Sequence, residues 1–208
     1  MTQDTVDALL LIDLQNDFMP GGALPVPRGD EVIQVANLLI PEFDIIIASR
    51  DWHPESHCSF ARCHQDAEPY GYALMFDDGV ERQVWPDHCI RGTTGAAWQP
   101  DLKLPKGAIV IDKGLEAQVE SPSAVWDLTK KHQTSLEATL RAKGINTLYV
   151  MGVATDYCVL FTVLDLLEAG FKVYVIADGC RGVDPTNTQE AIDKMIEAGA
   201  KMLLSKDL

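Results

Sequence analysis

Nothing in the 208-residue chain approaches the roughly 18 consecutive apolar residues that a membrane span requires. Basic residues are scarce, with 17 Lys and Arg against 31 Asp and Glu, a formal charge of −14. A field of that sign repels phosphate backbones and anionic lipid surfaces, which argues against nucleic acid and membrane as partners. A small neutral substrate is indifferent to it. Cysteines are few and odd in number, at positions 58, 63, 89, 158 and 180, without the even spacing of a disulfide framework. A secretory leader is also missing: the first apolar run is only Ala8 to Ile12, with Asp4 and Asp7 ahead of it rather than basic residues. These absences point to a cytoplasmic protein whose thiols stay reduced. No low-complexity stretch interrupts the chain, and a 47% hydrophobic content fits a folded globular protein. The length suits one α/β domain over residues 1–208 and is short for two. A homo-oligomer is compatible with all of this.

What is present is a series of short apolar runs: Ala8–Ile12, Ile45–Ala48, Ala108–Ile111, Leu148–Met151, Val173–Ala177 and Met202–Leu204. Each is bounded by charges, Gly or Pro, as strands buried on both faces are. Amphipathic segments separate most of them. Val32, Val35, Ala36 and Leu39 share a helical face before Pro41, Leu136 and Leu140 do so before Gly144, and Ile192, Met195 and Ile196 before Gly199. The stretch from Cys158 to Ala169 is apolar on more than one side and closes at Gly170. The alternation predicts an α/β fold with a six-stranded parallel sheet and helices on both faces. One long connection, 51–107, is rich in Pro, Gly, Trp and His, and a connection of that size in a compact domain is usually functional.

In such sheets ligands bind beyond the carboxyl ends of the strands. Asp13, Asp51 and Lys113 follow the first three runs, and Cys158 lies a short turn after the fourth. In Gly152-Val153-Ala154-Thr155-Asp156-Tyr157-Cys158, Thr155 reads as an N-cap that puts Cys158 in a first helical turn. Unpaired N–H groups and the helix dipole there favour a thiolate and can hold an oxyanion. Read alone, each residue has a plainer role: a buried structural cysteine, a turn-capping aspartate, a solvated surface lysine. The long connection supplies Asp51-Trp52-His53 and, further on, His88. Two imidazoles and a carboxylate with open positions suit Zn2+, Fe2+ or Mn2+. A rival structural zinc cluster from His57-Cys58 and Cys63-His64 matches no common zinc module. Hydrogen bonds within the loop account more simply for His57 and His64, and packing for Cys58, Cys63, Cys89 and Cys180. His132 reads as a surface residue.

Several segments, taken together and in order, resemble the nicotinamidases, a branch of the isochorismatase-like cysteine hydrolases. They are Asp13-Leu14-Gln15-Asn16-Asp17-Phe18, Ser49-Arg50-Asp51-Trp52-His53-Pro54, Trp85-Pro86-Asp87-His88-Cys89, Lys113-Gly114, Gly152 to Val159, and Asp178-Gly179-Cys180-Arg181-Gly182. The resemblance implies the family's three-layer fold, with Asp13, Lys113 and Cys158 as the catalytic triad. It implies one divalent metal ion, Zn2+ ahead of Fe2+ or Mn2+, on Asp51, His53 and His88, with Ser59 close by. It also implies an oxyanion hole from the N–H groups of Ala154 and Cys158, a cis peptide between Val153 and Ala154, and Phe18 and Trp85 on the faces of a pyridine ring. The activity implied is hydrolysis of nicotinamide, and of pyrazinamide, to the acid and ammonia in NAD salvage, with the metal orienting the ring nitrogen. Alternatives are another amidase or an isochorismatase on the same scaffold, or a non-catalytic binding protein. One departure is Ser121-Pro122-Ser123-Ala124, where relatives often carry a tyrosine in place of Pro122; the expected effect is a wider pocket.

Overall fold

The computed structural model describes residues 6–76 and 78–208, so that Asp4 lies outside the described residues. In chain order the elements are β1 (Val6–Ile12), α1 (Glu31–Leu39), β2 (Ile46–Asp51), β3 (Tyr72–Leu74), β4 (Glu81–Gln83), β5 (Ile109–Lys113), α2 (Leu136–Ala142), β6 (Ile145–Val153), α3 (Leu160–Glu168), β7 (Lys172–Arg181), α4 (Pro185–Glu197) and β8 (Lys201–Leu203). β1 is central and covered on both sides, which is why Ala8 to Ile12 is an unbroken apolar run; all five residues are fully buried. Each of its large side chains contributes about 1.5–3 kcal/mol by leaving water.

Six strands pair in parallel in the order β5-β2-β1-β6-β7-β8. The chain moves from β1 toward one edge, then returns and builds from β6 toward the other. Right-handed crossovers therefore put α1 on one face and α2, α3 and α4 on the other. In keeping with this, Arg141 of α2 donates to the Ala169 carbonyl at the end of α3, 2.9 Å away, and α3 packs on α4. The reversal between β1 and β6 opens a crevice at their carboxyl ends, the place where such sheets bind ligands. Among the described residues no helix is long and apolar enough to cross a membrane.

Several expectations need adjusting. The strands outrun their apolar cores: β2 and β5 include Asp51 and Lys113 themselves, and β7 continues through Asp178-Gly179-Cys180-Arg181. On α1 the buried face is Val32, Ile33, Ala36 and Leu39, with Val35 only partly covered. On α4 it is Ala191 and Met195, while Ile196 is half exposed. The segment between β2 and β5 holds an antiparallel hairpin, β3–β4, over a small apolar cluster of Cys58, Ala61, Met75 and Val84.

Candidate active site

Strand register brings the chemistry together. Ile12 pairs with Ser49 on one side and Gly152 on the other, and two residues on, Asp51 pairs with Lys113. Asp13 therefore leaves β1 at the same level as Asp51 and Lys113, and the turn after β6 delivers Cys158. Asp13 adopts a φ of 54°, a left-handed conformation that Asp tolerates better than most residues. Its backbone N–H donates to the Ser49 carbonyl, and the Ser49 hydroxyl donates to its Oδ1 at 2.7 Å.

Lys113 is not a surface residue. Its ammonium is completely buried, 3.0 Å from Asp13 Oδ2, hydrogen-bonded to Asp51 Oδ1, and 3.4 Å from Cys158 Sγ. One oxygen each of Asp13 and Asp51 and the Cys158 sulfur lie within 4.8 Å of one another. Burial works against the Lys113 charge, but Asp13, Asp51 and Cys158 outweigh it and hold its pKa well above the ordinary lysine value. Burial raises the pKa of Asp13, and Lys113 opposes that rise without cancelling it. Burial alone would raise Asp51 too, yet Lys113 and His53 hold it far below the usual carboxylate range. Cys158 is pushed well up by burial, against the pull of Lys113. Burial thus works against the expected thiolate bias of a helix terminus, with Lys113 as the opposing charge.

Asp51, His53 and His88 form a second cluster, each offering a ligand atom within 4.8 Å of the others. His53 Nδ1 meets the Gly114 carbonyl at 3.0 Å and His88 Nδ1 meets the Pro86 carbonyl at 2.8 Å. Each ring is thereby fixed with Nε2 left for the cluster, the outer-shell arrangement that orients metal-ligating histidines. The donor set fits a divalent metal. Gly114 (φ +65°) lies so close to His53 that a Cβ there would overlap ring atoms Cε1 and Nδ1. His57 stacks on His53 at 4.0 Å and turns its nitrogens to the Ser59 hydroxyl and the Val119 carbonyl. His64 meets the Cys58 carbonyl at 2.6 Å. The rival zinc cluster does not assemble among the described residues. His132 sits half exposed against Asp127.

The turn carrying Cys158 differs from the expected helix start. Residues Thr155–Val159 form a single π turn ahead of α3, a geometry frequent at functional sites. Thr155 does not cap it; its Oγ1 is buried without a partner. The Ala154 carbonyl takes the N–H groups of Tyr157 and Val159, each at 3.1 Å, and passes over that of Cys158. The Val153–Ala154 peptide is cis. Both clusters open into one cavity of about 280 Å3, walled by Phe18, Trp85, Pro122, Ser59 and Ala154 among others.

Three residues with structural roles at this site carry no sequence signal of their own. Gln15, fully buried, donates to the Asp51 and Ala96 carbonyls and accepts from the Asp51 N–H, clamping that strand end. Ser49 orients Asp13. Glu120 lines the cavity with its pKa raised by burial. Gln15 and Ser49 fall inside the quoted motifs, but their spacing does not reveal what they hold.

Residues 7–207 match the isochorismatase domain. The nicotinamidase of Escherichia coli strain K12 is 48% identical over 206 residues, covering 96% of this chain and 95% of that protein. Among solved structures, the nicotinamidase/pyrazinamidase of Acinetobacter baumanii is similar with a TM-score of 0.93 at 38% identity, over 99% of each chain. The pyrazinamidase of Pyrococcus horikoshii, solved in complex with zinc, is similar with a TM-score of 0.81 at 37% identity, over 96% of this chain and 99% of that one. With nearly its whole length accounted for by one domain, the chain belongs to the isochorismatase-domain family.

Proposed function

We propose that this protein is a nicotinamidase, which hydrolyses the carboxamide of nicotinamide to nicotinate and ammonia, and acts on pyrazinamide as well. The observation that carries the reading is the single cavity onto which Cys158, Lys113, the three metal donors and two aromatic walls all open. Asp13, with its raised pKa, takes the Cys158 proton as Sγ attacks the amide carbon. The N–H groups of Ala154 and Cys158 donate to the oxyanion. Asp13 then returns the proton to the leaving nitrogen, the C–N bond breaks and ammonia departs, leaving a thioester. Water attacks next, Asp13 accepting its proton; the C–S bond then breaks to release the acid, and Asp13 returns that proton to the Cys158 sulfur. Throughout, Lys113 offsets the negative charge shared by Asp13 and Cys158, while Phe18 and Trp85 hold the ring faces. Asp51, His53 and His88 would hold a divalent ion, zinc ahead of Fe2+ or Mn2+, which when bound would supply a Lewis-acidic anchor for the ring nitrogen.

In this reading residues 1–208 act as one domain, 51–107 being its metal-binding insertion, and the enzyme serves NAD salvage in a reducing cytoplasm. Its partner is a small molecule rather than nucleic acid or membrane. Ammonia release from nicotinamide, compared with a Cys158→Ala control, tests it. Release no faster than the control would overturn the reading.

A further inference from the structure

One wall of the cavity carries a hydrogen-bonded chain that the chemistry above leaves unused. Tyr157, next to the nucleophile in the π turn, donates its hydroxyl to Gln83 Oε1 at 2.9 Å. Gln83, at the end of β4, donates through Nε2 to the Tyr70 carbonyl at 3.0 Å. Both ends of the amide are engaged, which fixes its orientation. The two tyrosine rings meet the Trp85 indole edge-on, Tyr157 at 5.0 Å and 88°, Tyr70 at 6.0 Å and 87°. The Trp85 backbone is tied separately, donating to the Ser59 carbonyl and accepting from the Ala61 N–H. Those ties set where the residue starts and leave the indole torsions open. The edge contacts, joined through Gln83, close them. Tyr157, Gln83 and Trp85 all line the cavity.

We infer that Tyr157 and Gln83 are positioning residues that set substrate specificity: they brace the Trp85 indole between the nucleophile's turn and the hairpin, and so fix the slot that admits a flat ring amide. The identity of the ring rests on the nicotinamide reading; the brace does not. Breaking the bond frees the indole to swing, weakening ring binding and opening the approach to Cys158 without touching the reacting groups. One lost hydrogen bond corresponds to roughly a two- to tenfold rise in KM.

The test uses metal-loaded enzyme carrying Tyr157→Phe, Gln83→Leu, or both. It reads kcat and KM for nicotinamide, the melting temperature, and the rate of iodoacetamide alkylation at Cys158 followed by peptide mass. The expected result is a raised KM for each single variant with kcat held within about twofold, and faster Cys158 labelling. The double variant should be no worse than Gln83→Leu alone, because that change already removes the Tyr157–Gln83 bond together with the bond to the Tyr70 carbonyl. Additive losses overturn the brace. So does an effect of Tyr157→Phe alone, which would mean that the hydroxyl acts directly on the substrate. If Tyr157→Phe fails to fold, Gln83→Leu carries the test by the same two readouts. If the wild type releases no ammonia from nicotinamide, the functional reading fails separately. Labelling rates then decide the brace, and equal rates in all forms overturn it.

Discussion

Lys113→Ala removes the only cation that touches both Asp13 and Asp51 among the described residues, and its cost follows from their separation. Oxygens of the two carboxylates lie within 4.8 Å of each other. At an effective dielectric constant of about 20, two unit charges at that limit repel by about 3 kcal/mol. Breaking a buried ion pair from one side costs about 3–5 kcal/mol by comparison with other proteins, so the two routes agree. For a chain of this size that lowers Tm by roughly 6–20 °C. Calorimetry with and without a chelator is the assay. The larger fall belongs to the chelated protein, because a cation on Asp51 offsets part of the missing charge. The pH dependence has a definite sign. With Lys113 gone, burial and the Asp51 charge push the Asp13 pKa further up in the folded state, so the folded variant binds a proton that the unfolded chain releases. Its stability grows as pH falls toward the ordinary carboxylate range, and the gap to wild type narrows over that window. The lysine's own contribution is complete across that window, since its pKa is raised above the ordinary 10.5 and the stabilisation is lost only at higher pH. A chelated variant melting within about 2 °C of wild type at about pH 8 would refute the reasoning.

Cys158→Ala should abolish ammonia release while moving Tm by only a few degrees, and residual turnover in the folded variant would rule out the nucleophile. Asp13→Asn keeps the shape and loses the proton carrier; a fall in kcat of at least about 100-fold is expected, read in the same ammonia assay. Benzamide matches nicotinamide in shape but lacks the ring nitrogen, so kcat/KM should favour nicotinamide in the metal-loaded enzyme, and His53→Ala should erase much of that preference; equal turnover of the two amides by the wild type would sink the anchoring role. Asp127 is buried, which alone would raise its pKa, but Thr129 Oγ1, the Lys131 and His132 N–H groups and the His132 ring outweigh this and lower it. Its stabilisation is therefore present above the unfolded value of 3.8 and is lost as pH falls through the lower folded value. Asp127→Asn should melt lower than wild type at neutral pH, by roughly 2–10 °C, and converge with it in acid.

The sequence disclosed the sheet because its strands are buried on both faces, and Ala8–Ile12 has no polar side to hide. It disclosed the strand ends less well. Lys113 and Asp51 read as residues beyond their strands because periodicity registers apolar cores and stops at charge. The β3–β4 hairpin was invisible for a related reason: Tyr72-Ala73-Leu74 and Glu81-Arg82-Gln83 carry no shared apolar face, and Tyr72 and Leu74 are mostly exposed. The site's residue types stood in recognisable motifs, but their alignment depended on strand order and register, which no local pattern encodes. Thr155 was misread as a cap because N-cap preference describes α-helix starts, and here the chain takes a π turn first. Gln15 and Ser49 became legible only as partners, through hydrogen bonds spanning 36 positions in sequence.

Lys113 and Gly114 are neighbours in one peptide chain, yet one stands among the carboxylates and the thiol while the other presses its carbonyl and bare α-carbon against His53. The tip of β5 is therefore a common gauge for two half-sites. A slip of one residue there would displace the ammonium from Asp13 and drive a side chain into the imidazole in the same step. Recombination across this strand has no intermediate setting: a chimera that takes β5 from another parent inherits the alignment of both half-sites or of neither.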